Sequence, residues 1–298
     1  MKLAHFSALL CLFLGLGCGQ AGRPFNPDQE DWLSLFNGQD LSGWEIKITG
    51  HPLYENYLNT FVVEDSMIRI SYAEYDSFGT NFGHMYYERP FSYYRLQFEY
   101  RFQGEQTPGG AVWNNRNSGV MLHSQSAADQ GPDQHFPISI ELQLLGGLGE
   151  GERNTANLCT PGTMVLMSDT INRQHCISSH SKTYDGDQWV SVEAVVLGDS
   201  VVHHIVEGDT VLTYMQPMLD SAFISGSAYT WEAAGVPNGE SWTTRGEEKL
   251  KGGYIALQAE SHGIDFRNLR LLELEGCMDA ASPNYRTYFV KHKAEACE

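Results

Sequence analysis

The sequence predicts an all-β fold built as a two-sheet sandwich or jelly roll, and three observations carry that reading. Aromatic and β-branched residues recur in short runs between turn residues, with 30 Gly, 15 Tyr, 14 Phe and 6 Trp in the chain. Long apolar runs at helical spacing are nearly absent, whereas alternation of polar and apolar residues is common. The strand-like runs are too many for one small sheet, and two packed sheets bury one face of each. A length of 298 residues with 42% hydrophobic residues suits one large domain with a substantial core.

The N-terminus opens with Met1-Lys2 and an apolar stretch from Leu9 to Leu16 before Gly17-Cys18-Gly19. These are the charge, length and small residues of an export signal, and the stretch is too short to span a bilayer. Leu14-Gly15-Leu16-Gly17 before Cys18 resembles a bacterial lipoprotein cleavage site, with Gly15 where leucine is usual, so Cys18 is the expected lipidation site. Plain secretion, with Cys18 in the discarded peptide, is the alternative. Either way the mature protein is expected in the periplasm or on the outer membrane. The organisation read from the chain is a leader over residues 1–18, a polar linker over 19–30, a folded domain over 31–275 and a tail over 276–298.

Within the domain, strands are expected at Phe61–Val63, Met67–Ile70, Tyr93–Phe102, Ser118–His123, Ile138–Leu145, Trp189–Leu197, Val201–Val206, Val211–Tyr214, Tyr254–Glu260 and Phe266–Leu274. Residues 216–252 break the spacing with Gly226, Gly235, Pro237, Gly239 and Gly246 around Tyr229, Trp231 and Trp242, and read as a long loop packed at the rim of a site. Outside the leader the cysteines are Cys159, Cys176, Cys277 and Cys297, an even number for an oxidising compartment. Proximity favours Cys159–Cys176 and Cys277–Cys297, although four cysteines allow three connectivities and a metal site is the competing reading. The net charge of −18 disfavours a nucleic-acid partner.

Side chains two apart share a strand face. Asn117, Gly119, Met121 and His123 fall on one face, as do Ser139, Glu141 and Gln143, and Tyr254, Gln258 and Glu260. Arg95, Gln97, Glu99 and Arg101 form a fourth polar face. If the four strands adjoin, these groups line a polar trough suited to sugar hydroxyls, with Trp113, Tyr184, Trp231 and Trp242 able to supply stacking rings. Among the histidines, His203 and His204 point to opposite faces and suit packing, while His123 and His175 are better site candidates. Glu141-Leu142-Gln143 lacks the alternating acids of jelly-roll glucanases, because Gln143 stands where a second carboxylate would be needed.

Several segments taken in order resemble one family. Leu35-Phe36-Asn37-Gly38-Gln39-Asp40-Leu41-Ser42-Gly43-Trp44 matches an L-F-N-G-x-D-L-x-G-W opening. Asn117-Ser118-Gly119-Val120, Glu141-Leu142-Gln143, Cys159-Thr160-Pro161-Gly162-Thr163, His175-Cys176, Gly186-Asp187-Gln188-Trp189-Val190, Gly253–Glu260 and Phe266-Arg267-Asn268-Leu269 follow. Together they resemble the bacterial 3-keto-disaccharide hydrolase domain. The resemblance implies a concanavalin A-like jelly roll that cleaves glycosides oxidised at C3 by C2 proton abstraction, elimination and hydration. It implies Glu141 as base, His123 or Arg116 as stabiliser of the enolate, and Asn117, Gln143, Gln258, Glu260, Trp113 and Tyr184 around an oxidised disaccharide. No cofactor is expected, although a divalent metal could be joined by a Glu141–His123 pair. A non-catalytic carbohydrate-binding module is the alternative.

Overall fold

The structure, a computed structural model, describes residues 26–297. The leader with Cys18, and most of the linker, lie outside the described residues. With strands numbered in chain order, the larger sheet runs β11 (Thr170–Asn172), β10 (Thr163–Met167), β15 (Asp209–Leu219), β14 (Val201–Val206), β13 (Val190–Leu197), β6 (Tyr93–Gln106), β17 (His262–Glu273), β4 (Met67–Ile70), β3 (Phe61–Glu64). A short β1 (Leu33–Ser34) also pairs with β17. The second sheet runs β12 (Cys176–Ile177), β9 (Asn157–Cys159), β8 (Ile140–Leu145), β7 (Asn117–Ser124), β16 (Tyr254–Ala259), β5 (Gly83–Tyr87), β2 (Trp44–Ile48). All pairs within these two sheets are antiparallel, and the expected two-sheet sandwich is the fold observed.

Alternation builds the core. Leu96, Phe98, Tyr100 and Phe102 of β6 and Val190, Val192, Ala194 and Val196 of β13 meet Val120, Ile140, Leu142, Leu144, Ile255 and Leu257 from the second sheet. All of these side chains are buried, and burying a side chain of this size contributes roughly 1.5–3 kcal/mol.

The opposite face of β6 is not part of a trough. Arg95, Gln97, Glu99 and Arg101 lie on the outer surface of the larger sheet, where cross-strand partners neutralise them. Asp265, fully buried, accepts from Arg69 Nε at 2.7 Å, Arg101 Nε at 2.9 Å and Gln103 Nε2 at 2.8 Å. Glu193 accepts from Arg95 Nε at 2.6 Å and Gln97 Nε2 at 2.8 Å, and Arg267 donates to Glu99. Thus β6 is corrected to the other sheet, and three strands remain to floor a site.

The second sheet is capped on its outer side. Residues 125–139 cover part of it, so β7 and β5 are buried on both faces. Gln130 and Gln134 tie that cap to Tyr86, and residues 219–250, with α1 (Gly239–Thr244), add a satellite core of Ile138, Leu219, Phe223, Trp231, Ala234 and Val236. Trp231 and Trp242 belong to this packing. Both expected disulfides are present, Cys159–Cys176 and Cys277–Cys297. The second closes the tail, where β18 (Glu275–Gly276) pairs with β19 (Lys291–His292) and Arg286 holds Asp31. No helix among the described residues is long and apolar enough to cross a membrane.

Candidate active site

A cleft of about 810 Å³ opens on the outer face of the second sheet. Its floor comes from β7 and β8 and the end of β16, which bring Asn117, Glu141, Gln143 and Glu260 together. Arg153, from the β8–β9 connection, supplies a guanidinium. Phe82, Val112, Trp113, Phe136, Leu148, Ile224 and Tyr229 form an apolar and aromatic wall, and the disulfide with His175 forms the opposite one. Trp113 lies nearly parallel to Phe82, and Tyr229 donates or accepts at 2.7 Å with His135 Nδ1.

Register explains the floor. Antiparallel pairing sets Met121 opposite Glu141 and Gly119 opposite Gln143. Glu141 is itself opposite Cys159, and Cys159 opposite Cys176. In its row Glu141 is therefore flanked by the disulfide on one side and Met121 on the other, with no hydrogen-bonding neighbour in either direction. Its carboxylate folds over Gly119, where a Cβ would stand 2.6 Å from Oε1. Glycine is needed there for space.

Electrostatics single out two carboxyls. Glu141 is 6% exposed and Glu260 2% exposed, and neither pairs with a cation among the described residues. Burial pushes Glu141 well above the usual carboxylate range. Burial, and then the Glu141 charge, push Glu260 above that range as well. The pair thus holds one proton readily between its two carboxyls.

Buried polar atoms without partners cluster around this floor. They include Glu260 Oε2, Asn117 Oδ1, both amide atoms of Gln258 and both ring nitrogens of His84. Gln258 and His84 are cross-strand partners and fully buried. Buried groups of this kind are normally satisfied, so the cluster marks a place where polar matter, solvent or ligand, belongs.

Three candidates lie elsewhere. His123 has φ +49° in a bulge where Leu122 and His123 together oppose Ile255, between the Met121–Ala256 and Ser124–Tyr254 pairs. The extra residue turns its ring toward Tyr94 and sets Nε2 3.0 Å from the Gly198 carbonyl. A Glu141–His123 metal pair is excluded by that turn, and the described residues contain no group of three or more His, Cys, Asp or Glu able to hold a metal. Arg116 precedes β7 with φ +48°, binds Asp187 Oδ1 at 3.0 Å and lies over Phe102. Tyr184 packs in the main core. His203 meets Thr213 and His204 is buried against Ala156 and Tyr214, both as packing residues.

The cation actually in the cleft is Arg153, held by the Gly146 carbonyl at 2.6 Å and the Arg116 carbonyl at 3.3 Å. It has no carboxylate partner among the described residues. Sequence reasoning alone does not single out Arg153 or His84.

Comparison with known proteins gives the following. No curated protein matches the chain. A provisionally assigned glycosyl hydrolase from Parabacteroides distasonis is 19% identical, with 82% of this chain and 94% of that chain covered and a TM-score of 0.47. A Bacillus subtilis protein of unknown function with a galectin-like fold is 13% identical over 82% and 97% of the two chains, TM-score 0.44. The carbohydrate binding module CBM66 from Bacillus subtilis is 9% identical over 78% and 96%, TM-score 0.41. The model of the 3-keto-alpha-glucoside-1,2-lyase-like domain matches residues 31–272, which include every floor residue of the cleft. The chain therefore belongs to the family of 3-keto-alpha-glucoside-1,2-lyase-like domains.

Proposed function

We propose that this carbohydrate-active protein cleaves 3-keto-glycosides, and the observation that carries the reading is the buried, unpaired Glu141–Glu260 couple at the cleft floor. A carboxylate raised by desolvation is a stronger base than one stabilised by hydrogen bonds. That suits removal of a carbon-bound proton, whereas a glycosidase nucleophile must be ionised and well solvated by donors.

In the proposed sequence Glu141 takes the C2 proton, which the C3 ketone acidifies. The C2–H electron pair becomes the enolate, whose oxygen Arg153 stabilises. Collapse of the enolate forms the C1–C2 double bond and breaks the C1–O bond, and Glu260 gives its proton to the departing oxygen. Water then adds, hydroxyl to C1 and proton to C2, so the net reaction is hydrolysis. Asn117 and Gln143 offer hydrogen bonds to the sugar, and Trp113 a stacking face. Outside the cytoplasm, where both disulfides persist, Cys18 would serve as a lipid anchor; radiolabelled palmitate incorporated by wild type and lost in Cys18→Ser tests that assignment.

The reading is tested with a 3-keto-disaccharide offered to wild type and Glu141→Gln. Wild type is expected to turn over, with the variant slower by about 10²–10⁴-fold and KM little changed. Binding without turnover in both proteins would make the domain a binding module. Cleavage of an unoxidised glucan by wild type would make it an ordinary glycanase.

A further inference from the structure

We infer that the Cys159–Cys176 disulfide is a positioning element for Glu141: it is the wall that keeps water off the carboxyl on the β9 side and holds that side of the cleft shut. The inference rests on Glu141 acting as the base. Cys159 is the direct cross-strand neighbour of Glu141, and Cys176 the direct cross-strand neighbour of Cys159, so all three side chains stand on the same face. Both cysteines line the cleft with Glu141.

β12 is only two residues long and pairs with β9 at two positions, Cys176–Cys159 and Ile177–Leu158. It is the edge of its sheet. Two ladder pairs are little to hold an edge segment, and strand order here depends on the covalent link. Freeing it would expose His175 and the Glu141 side of β9 to solvent. The Cys277–Cys297 bridge has no such neighbour, since it closes the C-terminal tail beside β18 and β19.

The charged or titratable groups sharing the cleft with Glu141 are Glu260, Arg153, His135, His175 and Tyr229. Of these the Glu141 charge acts on Glu260, and burial is what raises the Glu141 carboxyl. Removing the wall on one side therefore lets Glu141 ionise at lower pH and makes it a weaker base.

The test compares the oxidised full-length protein with three double variants: Cys159→Ala/Cys176→Ala, Cys159→Val/Cys176→Val, and Cys277→Ala/Cys297→Ala. The readouts are the pH dependence of kcat on a 3-keto-disaccharide, KM, and the Glu141 midpoint followed by carboxyl-carbon NMR. The cleft Ala pair is expected to move the midpoint down by at least one pH unit and lower kcat at alkaline pH about tenfold, with KM within twofold. The Val pair, which restores an apolar wall, is expected to keep the wild-type midpoint, as is the tail variant. An unchanged midpoint in the Ala pair, or a Val pair that shifts equally far, overturns the inference and leaves the bridge a staple. Absence of turnover in wild type would sink the proposed reaction instead, and the NMR midpoint would still decide the role of the disulfide.

Discussion

The outer faces of the two sheets are made from the same kinds of side chain and end in opposite conditions. On the larger sheet Arg69, Arg101 and Gln103 converge on Asp265, Arg95 and Gln97 on Glu193, and Arg267 on Glu99. On the smaller sheet Glu141, Glu260, Gln258 and His84 are buried without a salt bridge among the described residues, and several of their polar atoms have no hydrogen-bond partner. A folded chain normally satisfies what it buries. The first face pairs its own charges, and the second keeps unpartnered polar atoms at the cleft floor and on the strands beside it. Polarity alone does not mark a site; unmet polarity under a concave surface does.

The contrast can be broken most severely at Asp265. Asp265→Ala removes the buried carboxylate shared by Arg69, Arg101 and Gln103, leaving Arg69 only Glu64, and is expected to destabilise the fold by about 3 kcal/mol in denaturant titration. Its kcat/KM at a temperature where the variant stays folded should remain within twofold of wild type. If activity falls instead, the two faces are not independent.

Gly119→Ala is the reciprocal change on the open face. The new methyl would meet the Glu141 carboxylate, so kcat should fall by roughly 10–100-fold, with a far smaller loss of stability than at Asp265. Far-UV circular dichroism and steady-state kinetics separate the two effects.

Glu260→Gln gives the smallest and most diagnostic shift. Both cleft carboxyls hold a proton more tightly folded than unfolded. Their contribution to stability is therefore fully present below the ordinary value of 4.5 and is lost as pH rises through the raised folded values. Replacing Glu260 removes one ionisation, so the variant should match wild type near pH 4 and exceed it near pH 9 by about 1–3 kcal/mol. Equal pH dependence in the two proteins would mean that Glu260 is solvated.

The fold is largely legible because it depends on alternation, and β6, β13 and the apolar positions of β8 keep that period. β5 carries Gly83-His84-Met85-Tyr86-Tyr87, buried at all five positions, so it shows no alternation, and His84 went with it. At the site, Glu141 and Gln143 were readable because β8 is regular and apolar on its other face. His123 was not, because one extra residue in a bulge reverses every later side chain without any sign in composition. Arg153 sits in a connection whose position depends on carbonyls of Gly146 and Arg116, contacts set only by tertiary structure. Which polar face is paired also depends on sheet order, and β6 could not declare its sheet from its own residues.

The central claim is that Glu141 removes a carbon-bound proton from an oxidised sugar. It is tested most directly with a 3-keto-disaccharide carrying deuterium at C2, followed for cleavage and for loss of the label to water. A primary isotope effect on turnover, with the label washed out during cleavage by wild type and neither process accelerated by Glu141→Gln, is the predicted result. Cleavage by wild type that leaves the C2 deuterium fully in place would contradict it.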